Sequence, residues 1–248
     1  MKNKRTKSIQ SLPIDEIYAI LRAADEIIAQ GGRTLLSGIL KGSKEKKILE
    51  LGLDNNPSYG FYRNLKREEI IEKIDHMIKT DFLETEYSGK LPMIVFSPKG
   101  WLIERERRAD EFLREWDEWI RRGITSVNMN YLKDRNRGMI LLLLRKILFS
   151  GNKAYIPYLQ HWEKIDYKKV QGAIRKVIRL LEQDIGNHPE MRLQTEQLGQ
   201  ELLVPSSDPV ILACHECESP FVIDGTNPRD YTENGFKIPD YCPRCEMQ

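Results

Sequence analysis

The stretch Gly32-Arg-Thr-Leu-Leu-Ser-Gly-Ile-Leu-Lys-Gly-Ser43-Lys-Glu-Lys-Lys-Ile-Leu-Glu-Leu-Gly52 decides the fold of the N-terminal part. Leu35, Leu36, Ile39 and Leu40 share one face at helical spacing, and Gly42 is the residue type that closes a helix in the left-handed conformation. Ser43 can then cap a second short helix, which carries Ile48, Leu49 and Leu51 up to Gly52. Upstream, Ile14, Ile17, Ile20, Leu21, Ala24, Ile27 and Ile28 predict an amphipathic helix between Pro13 and the Gly31-Gly32 stop. Downstream, a Pro57-Ser58-Tyr59-Gly60 turn precedes a helix with Ile70, Ile71, Ile74, Met77 and Ile78 on its stripe. Phe82 to Tyr87, a Ser88-Gly89-Lys90 turn and Leu91 to Ser97 then have the form of a β-hairpin. Three helices followed by a hairpin is the order of a winged helix.

The rest of the chain divides by composition. From about Trp101 to Gly186 the pattern is helical: a charged helix over Glu104 to Arg122 with Phe112, Leu113, Trp116, Trp119 and Ile120, a buried segment over Met139 to Phe149, and helices over Ala154 to Trp162 and Val170 to Leu181. Pro157 interrupts the third of these, and the paired helices resemble HEAT-type repeats. Gly186-Asn187-His188-Pro189 breaks the pattern, a short helix with Leu193 and Leu198 follows, and Pro205 to Pro209 reads as a linker. The expected organisation is a basic tail over residues 1–13, a winged helix over 14–100, a helical domain over 101–204, a linker over 205–209 and a small cysteine-bearing module over 210–248. The fold class is mainly α, with an α+β winged helix at one end and that small module at the other.

Of 248 residues, 40% are hydrophobic and 31% charged, and the mean hydropathy is -0.51. This excludes collagen-like, low-complexity and disordered classes. The longest apolar run, Met139 to Leu144, is far short of a membrane span, and the N-terminal MKNKRTKS has no apolar segment behind it, so a cytoplasmic protein without a membrane partner is expected. The 39 Lys and Arg against 37 Asp and Glu leave a net charge of +2, so any attraction to nucleic acid must come from local clustering.

All four cysteines lie near the C-terminus, as Cys214-x-x-Cys217 and Cys242-x-x-Cys245 separated by 24 residues. Each pair places two thiolates on one tight turn, and two such turns complete the tetrahedral set that a structural zinc prefers. Four thiolates leave no open position for water, so one structural Zn2+ is expected, which would supply the folding free energy of a module too small for its own core. Disulfide pairing is the alternative, and a chain without a secretion signal disfavours it. His215, inside the first turn, is expected to be a bystander. The segment from Cys214 through Phe221-Val-Ile, Tyr231 to Phe236 and Cys242-Pro-Arg-Cys245 resembles the small bacterial zinc ribbons of the treble-clef type.

The N-terminal segment Leu40-Lys-Gly-Ser-Lys44, the Tyr59-Gly60 turn and the closing Ser97-Pro-Lys-Gly100 are similar to the RQC winged-helix domain of RecQ-family helicases, over residues 16 to about 100. The resemblance implies that the Gly-Ser segment and the helix it opens contact the DNA backbone, and that the hairpin can act at a duplex end. By position those roles fall on Arg33, Ser43, Lys44, Lys46 and Lys47, with Ser58 and Tyr59 of the turn and Lys90 at the wing tip. Their chemistry agrees: a capping serine opens an amide-rich helix end, and Arg33 to Lys47 holds five basic residues against one acid. The same residues also fit a plain cap and a solvated face.

Departures from the helicases are as clear. No Gly-x-x-x-x-Gly-Lys-Ser/Thr occurs, the cysteines follow the winged helix instead of preceding it, and Leu91, Pro92 and Met93 stand at the wing tip in place of an evident aromatic wedge. His76, His161, His188 and His215 are scattered, no nucleophile motif appears, and the charges of Glu104 to Arg108 read as a solvated face. The expectation is a non-enzymatic, bacterial, nucleoid-associated protein without a small-molecule substrate, binding duplex or junction DNA mainly through phosphates. Binding to RNA or the ribosome is the second reading, and a protein-binding adaptor acting through the helical middle is the third.

Overall fold

The protein is described here by a computed structural model covering residues 11–133, 135–183, 189–203, 210–218, 220–223, 240–242 and 245. It falls into two units, Met1–Glu104 with Pro209–Gln248, and Arg105–Asp208. Most of the N-terminal tail, Gly186 to His188, the 205–209 linker and Tyr231 to Phe236 lie outside the described residues. No helix among the described residues is long and apolar enough to cross a membrane.

The first unit opens with α1 (Ile14–Asp25), α2 (Arg33–Lys41), α3 (Lys46–Glu50), a 3-10 turn at Leu53–Asn55 and α4 (Arg67–Lys79). The periodic residues define its core: Ile17, Ile20 and Leu21 of α1, Leu36, Ile39 and Leu40 of α2, and Ile70, Ile74 and Met77 of α4 are buried together. The hairpin β1 (Leu83–Ser88) and β2 (Leu91–Phe96) contributes Leu83 and Ile94 to that core. Ser88 pairs with Leu91 across a two-residue Gly89-Lys90 loop, with Gly89 at φ 64°. The other edge of β2 is tied to the α1–α2 link, because Ile94 donates to the Gly31 carbonyl (2.8 Å) and accepts from the Ala29 amide (3.0 Å). The wing is thereby fixed at its base, and its edge there is paired.

The hairpin does not run out into a loop. The buried Ser97 donates to the Asp81 carbonyl (2.6 Å) and accepts from the Gly100 amide (3.0 Å), which caps α5 (Pro98–Arg121). A Cβ on Gly100 would lie 1.8 Å from the Phe82 carbonyl oxygen, so only glycine permits this joint. The charged helix therefore begins at Pro98 and not at Glu104, as its apolar spacing alone suggests.

The second unit holds most of α5, a 3-10 turn at Met129–Leu132, α6 (Arg137–Ser150), α7 (Ile156–Glu163), α8 (Lys168–Glu182) and α9 (Pro189–Glu201). Met139 to Leu144, Ile147 and Leu148 of α6 are all buried, as that apolar run requires. Pro157 sits in the first turn of α7 and starts the helix instead of interrupting it, since its missing N–H is no loss there. Trp116 is fully buried, with the rings of Trp119, Tyr155, Tyr158 and Trp162 within 6.4 Å, and its Nε1–H donates to the Tyr131 hydroxyl (2.7 Å). Glu104, Arg105 and Arg108 are buried while Arg107 is exposed and Glu106 half-buried, so the solvated-face expectation fails for those three residues. Arg108 pairs with Glu111 (2.7 Å) and lies over the Phe112 ring (4.6 Å), so its stem is covered while its charge is met. The chain is mainly helical, with small two-stranded sheets and a cysteine cluster near its C-terminus.

Candidate nucleic-acid interface and cysteine cluster

The Gly-Ser and Tyr-Gly segments, 16 residues apart in sequence, meet at the end of α2. Gly42 (φ 74°) and Gly60 (φ 73°) both lie in the left-handed region, and a Cβ on Gly42 would stand 3.0 Å from the Gly60 Cα. The close crossing lets Gly60 join Gly42 as a donor to the Ile39 carbonyl (2.9 Å) and Tyr62 donate to the Leu40 carbonyl (2.8 Å) at the end of α2. Tyr59 donates its hydroxyl to the Ser43 carbonyl (3.0 Å), and Lys41 donates to the carbonyls of Arg63 (2.6 Å) and Leu65 (2.7 Å). The turn between α2 and α3 is therefore anchored from below.

Arg67, at the start of α4, is the second anchor. It pairs with Glu45 (2.7 Å) and donates to the Thr34 carbonyl (3.0 Å) and the Ser37 hydroxyl (3.2 Å). The hydrogen bond and charge of Arg67 hold the Glu45 carboxyl below the usual carboxylate range. This arrangement corrects the expected cap. Glu45, not Ser43, occupies the N-cap position of α3, with no side-chain cap bond, and the Ser43 hydroxyl accepts from the Glu45 amide (3.3 Å). The helix is five residues long, so it offers no anion site at its N-terminus. What the turn presents instead is charge on a fixed backbone.

Lys44, Lys46 and Lys47 are exposed on this turn and α3. Lys46 is within 3.5 Å of Glu50, an exposed pair of little energetic weight. Lys44 and Lys47 have no ion-pair partner among the described residues. Arg33, exposed at the start of α2, is paired with Asp75. Ser58 is buried, its amide bound by the Asn56 side chain (2.8 Å), and half-buried Tyr59 is engaged with Ser43, so these two shape the turn from beneath. Lys90 is exposed at the wing tip, beside a feature the sequence reading passed over: Tyr87 is 73% and Leu91 64% exposed there. Strand alternation could not have found Tyr87, because it shares a face with the buried Leu83 and is exposed only because the strand runs past the core, every residue after Leu83 being exposed. Arg63, Lys66 and Arg67 were likewise missed, although they stand just ahead of an apolar-periodic helix.

The cysteines meet at a second place in the same unit. β3 (Val210–Ala213) pairs with β4 (Pro220–Ile223), and the first Cys-x-x-Cys lies between them. The four Sγ atoms lie within 4.8 Å of one another, and Cys217 and Cys242 are 3.8 Å apart. A tetrahedral ion with metal–sulfur bonds of about 2.3 Å needs sulfurs about 3.8 Å apart, so the cluster fits one metal ion. Burial works against the Cys214 thiolate, but the backbone amides of Cys242, Cys217 and Glu216 outweigh it and bring Cys214 down to about 6. Hydrogen bonding to Cys242, with burial, pushes Cys245 up to about 12. Cys214 and Cys245 are thus shifted in opposite directions, and a bound cation would favour thiolates throughout the cluster. His215 keeps its ring beside Tyr241 (6.3 Å) and is not in the cluster. Elsewhere, His161 has a buried Nδ1 without a hydrogen-bond partner among the described residues.

Comparison with known proteins bears on the first of these two places. The ATP-dependent DNA helicase RecQ of Bacillus subtilis (strain 168) is 35% identical over 69 residues, which are 28% of this chain and 12% of the helicase. The chain therefore covers a small part of that relative, and no solved structure matches. The RQC domain model matches residues 14–121, which include the Gly-Ser turn, the Tyr-Gly crossing, the wing and all of α5. Over residues 14–121 the chain is accordingly similar to the RQC domain, a non-catalytic DNA-binding unit found in RecQ helicases.

Proposed function

We propose that this protein is a non-enzymatic nucleic-acid-binding protein whose winged helix engages duplex or junction DNA mainly through backbone phosphates. The observation that carries the reading is the α2–α3 turn: Lys44 and Lys47 stand exposed, with no ion-pair partner among the described residues, on a backbone locked by Gly42, Gly60, Tyr59 and Arg67. Charge on a preorganised loop loses little entropy when it meets a phosphate. Arg33, Lys46 and Lys90 extend the same charge, with Ser43, Ser58 and Tyr59 shaping the turn. At the wing, exposed Tyr87 next to Lys90 suits stacking on the last base pair of a duplex end. The similarity to the RQC domain favours DNA over RNA.

The cysteine cluster would hold one Zn2+ through Cys214, Cys217, Cys242 and Cys245, in a zinc ribbon set in a cytoplasmic, nucleoid-associated protein. The ion supplies cross-linking of the C-terminal hairpin and no open coordination position. Residues of the chain do the rest: the Cys242 amide donates to the Cys214 sulfur (3.3 Å), and the Glu218 amide to the Cys214 carbonyl (2.9 Å).

The test is the double substitution Lys44→Ala with Lys47→Ala. Affinity for unrelated duplex sequences should fall uniformly, and the slope of log K against log salt should flatten by about 2. An unchanged slope would place the interface elsewhere. Sequencing the nucleic acid crosslinked to the protein in native cells decides between chromosomal DNA and ribosomal or transfer RNA.

A further inference from the structure

The outer face of α8 is strongly cationic from its first turn onward. Cations in the first turn of a helix oppose its macrodipole, yet Lys168 and Lys169 occupy that turn and no acid accompanies them. Asp166, just upstream, is buried, with its carboxylate on the Trp162 Nε1–H (2.6 Å) and the Tyr167 amide (2.7 Å). At 100° per residue, Lys168, Gly172, Arg175, Lys176 and Arg179 form one stripe opposite the buried Ile174, Val177, Ile178 and Leu181, with the buried Leu180 beside its Lys176 edge. Lys169 flanks the stripe, and Glu182 is the first acid the helix itself offers, at its far end. Arg175 is met by Glu163 (2.7 Å) and Lys176 by Glu201. Lys168, Lys169 and Arg179 have no ion-pair partner among the described residues.

Two more features mark this face as a contact surface and not merely a solvated one. Gly172 sits mid-helix at its centre, where it costs helix stability, and a Cβ there would meet nothing within 4 Å. Internal packing therefore does not require the glycine, and its effect is to let an outside backbone approach the helix. Arg179 lines a groove of about 400 Å³ between α8 and α9, together with Gln183, Gln194, Gln197 and the Glu201 that holds Lys176; the glutamine amides donate hydrogen bonds without regard to base sequence. Tyr167, 59% exposed, stands at the head of the stripe with Lys133 over its ring (5.5 Å).

We infer that the Lys168–Arg179 face of α8 is a second nucleic-acid contact surface, which takes the phosphate backbone of a duplex independently of the winged helix. The stripe is about 16 Å long, enough to face roughly five base-pair steps. Phosphate suits it better than a folded protein surface, because the face offers cations, amides and a bare glycine but no exposed apolar anchor apart from Tyr167. The inference rests on the nucleic-acid reading above and gives the helical unit a part in it.

The test uses the full chain and a 40-base-pair duplex of arbitrary sequence, with affinity followed by fluorescence anisotropy across a salt series. The triple variant Lys168→Ala, Lys169→Ala, Arg179→Ala should bind roughly 10- to 100-fold more weakly at about 0.15 M salt and lose about 2.7 from the salt slope, with an unchanged or higher Tm. The charge-keeping variant Lys168→Arg, Lys169→Arg, Arg179→Lys should retain the slope, and Gly172→Glu should weaken binding without removing a cation. An unchanged slope in the triple variant, while Lys44→Ala with Lys47→Ala still flattens it, overturns the α8 surface and leaves the winged-helix reading intact. The reverse pattern supports α8 and overturns the winged-helix interface, and wild-type affinity without salt dependence overturns both. Vesicles containing 30% phosphatidylserine serve as a second probe: loss of vesicle binding in the triple variant with DNA affinity unchanged would assign the face to a membrane surface and overturn the proposal.

Discussion

The crossing of Gly42 over Gly60 makes a prediction that the structure scales by itself. Gly42 and Gly52 both lie in the left-handed region, at φ 74° and 65°, but their surroundings differ. A Cβ on Gly52 meets only the Asn55 side chain, at 3.7 Å, whereas on Gly42 it meets the Gly60 Cα at 3.0 Å. Alanine at either site costs about 1 kcal/mol for the left-handed conformation and regains about 0.4–1 kcal/mol from a stiffer unfolded chain. At Gly42 the crossing strand must also retreat. That strains the bonds from Gly60 to Ile39 (2.9 Å) and from Tyr62 to Leu40 (2.8 Å), and one buried backbone bond weakened is worth about 1–3 kcal/mol. Gly42→Ala should therefore exceed Gly52→Ala by about 1–3 kcal/mol. Native-state hydrogen exchange at the Gly60 and Tyr62 amides reads the difference, as protection lowered roughly 10- to 100-fold in Gly42→Ala relative to Gly52→Ala. Equal protection in the two variants would refute the argument that this contact, and not the backbone angle, demands glycine.

Other measurements follow from the same geometry. Tyr131→Phe strands the Nε1–H of fully buried Trp116 and should cost about 1–3 kcal/mol in urea unfolding of the second unit; a loss under about 0.5 kcal/mol would mean water replaces the hydroxyl. The Glu45 carboxyl, held low in the folded state by Arg67, contributes stability that is present above the ordinary carboxylate range and lost as pH falls through its depressed value. In Arg67→Met its NMR titration should move back up toward the ordinary range, and a titration that stays low would assign the shift to another partner. The native protein should carry one zinc per chain by elemental analysis, shed it as pH falls, and lose it in Cys214→Ser, along with exchange protection at the Cys242 amide. Intact mass showing two disulfides and no metal would contradict the zinc assignment.

What the sequence determined by itself was local and periodic. The apolar stripes of α1, α2 and α4, the glycine that ends α2, the Gly89-Lys90 hairpin and the two Cys-x-x-Cys turns follow from spacing and backbone preference within a few residues. The tertiary structure decided what depends on a partner far along the chain. Ser43 yields the cap position to Glu45 in an arrangement where Arg67, 22 residues beyond Glu45, takes up the carboxylate. Glu104 and Arg108 read as solvated because a charge pattern on a helix does not show what covers it, yet both are buried. The same limit applies to the lysines. Charge can be counted in a sequence, but which cations keep it available depends on whether a folded neighbour brings a carboxylate within about 4 Å. Asp75 does so for Arg33 and Glu201 for Lys176, while among the described residues none does so for Lys44, Lys47, Lys168, Lys169 or Arg179.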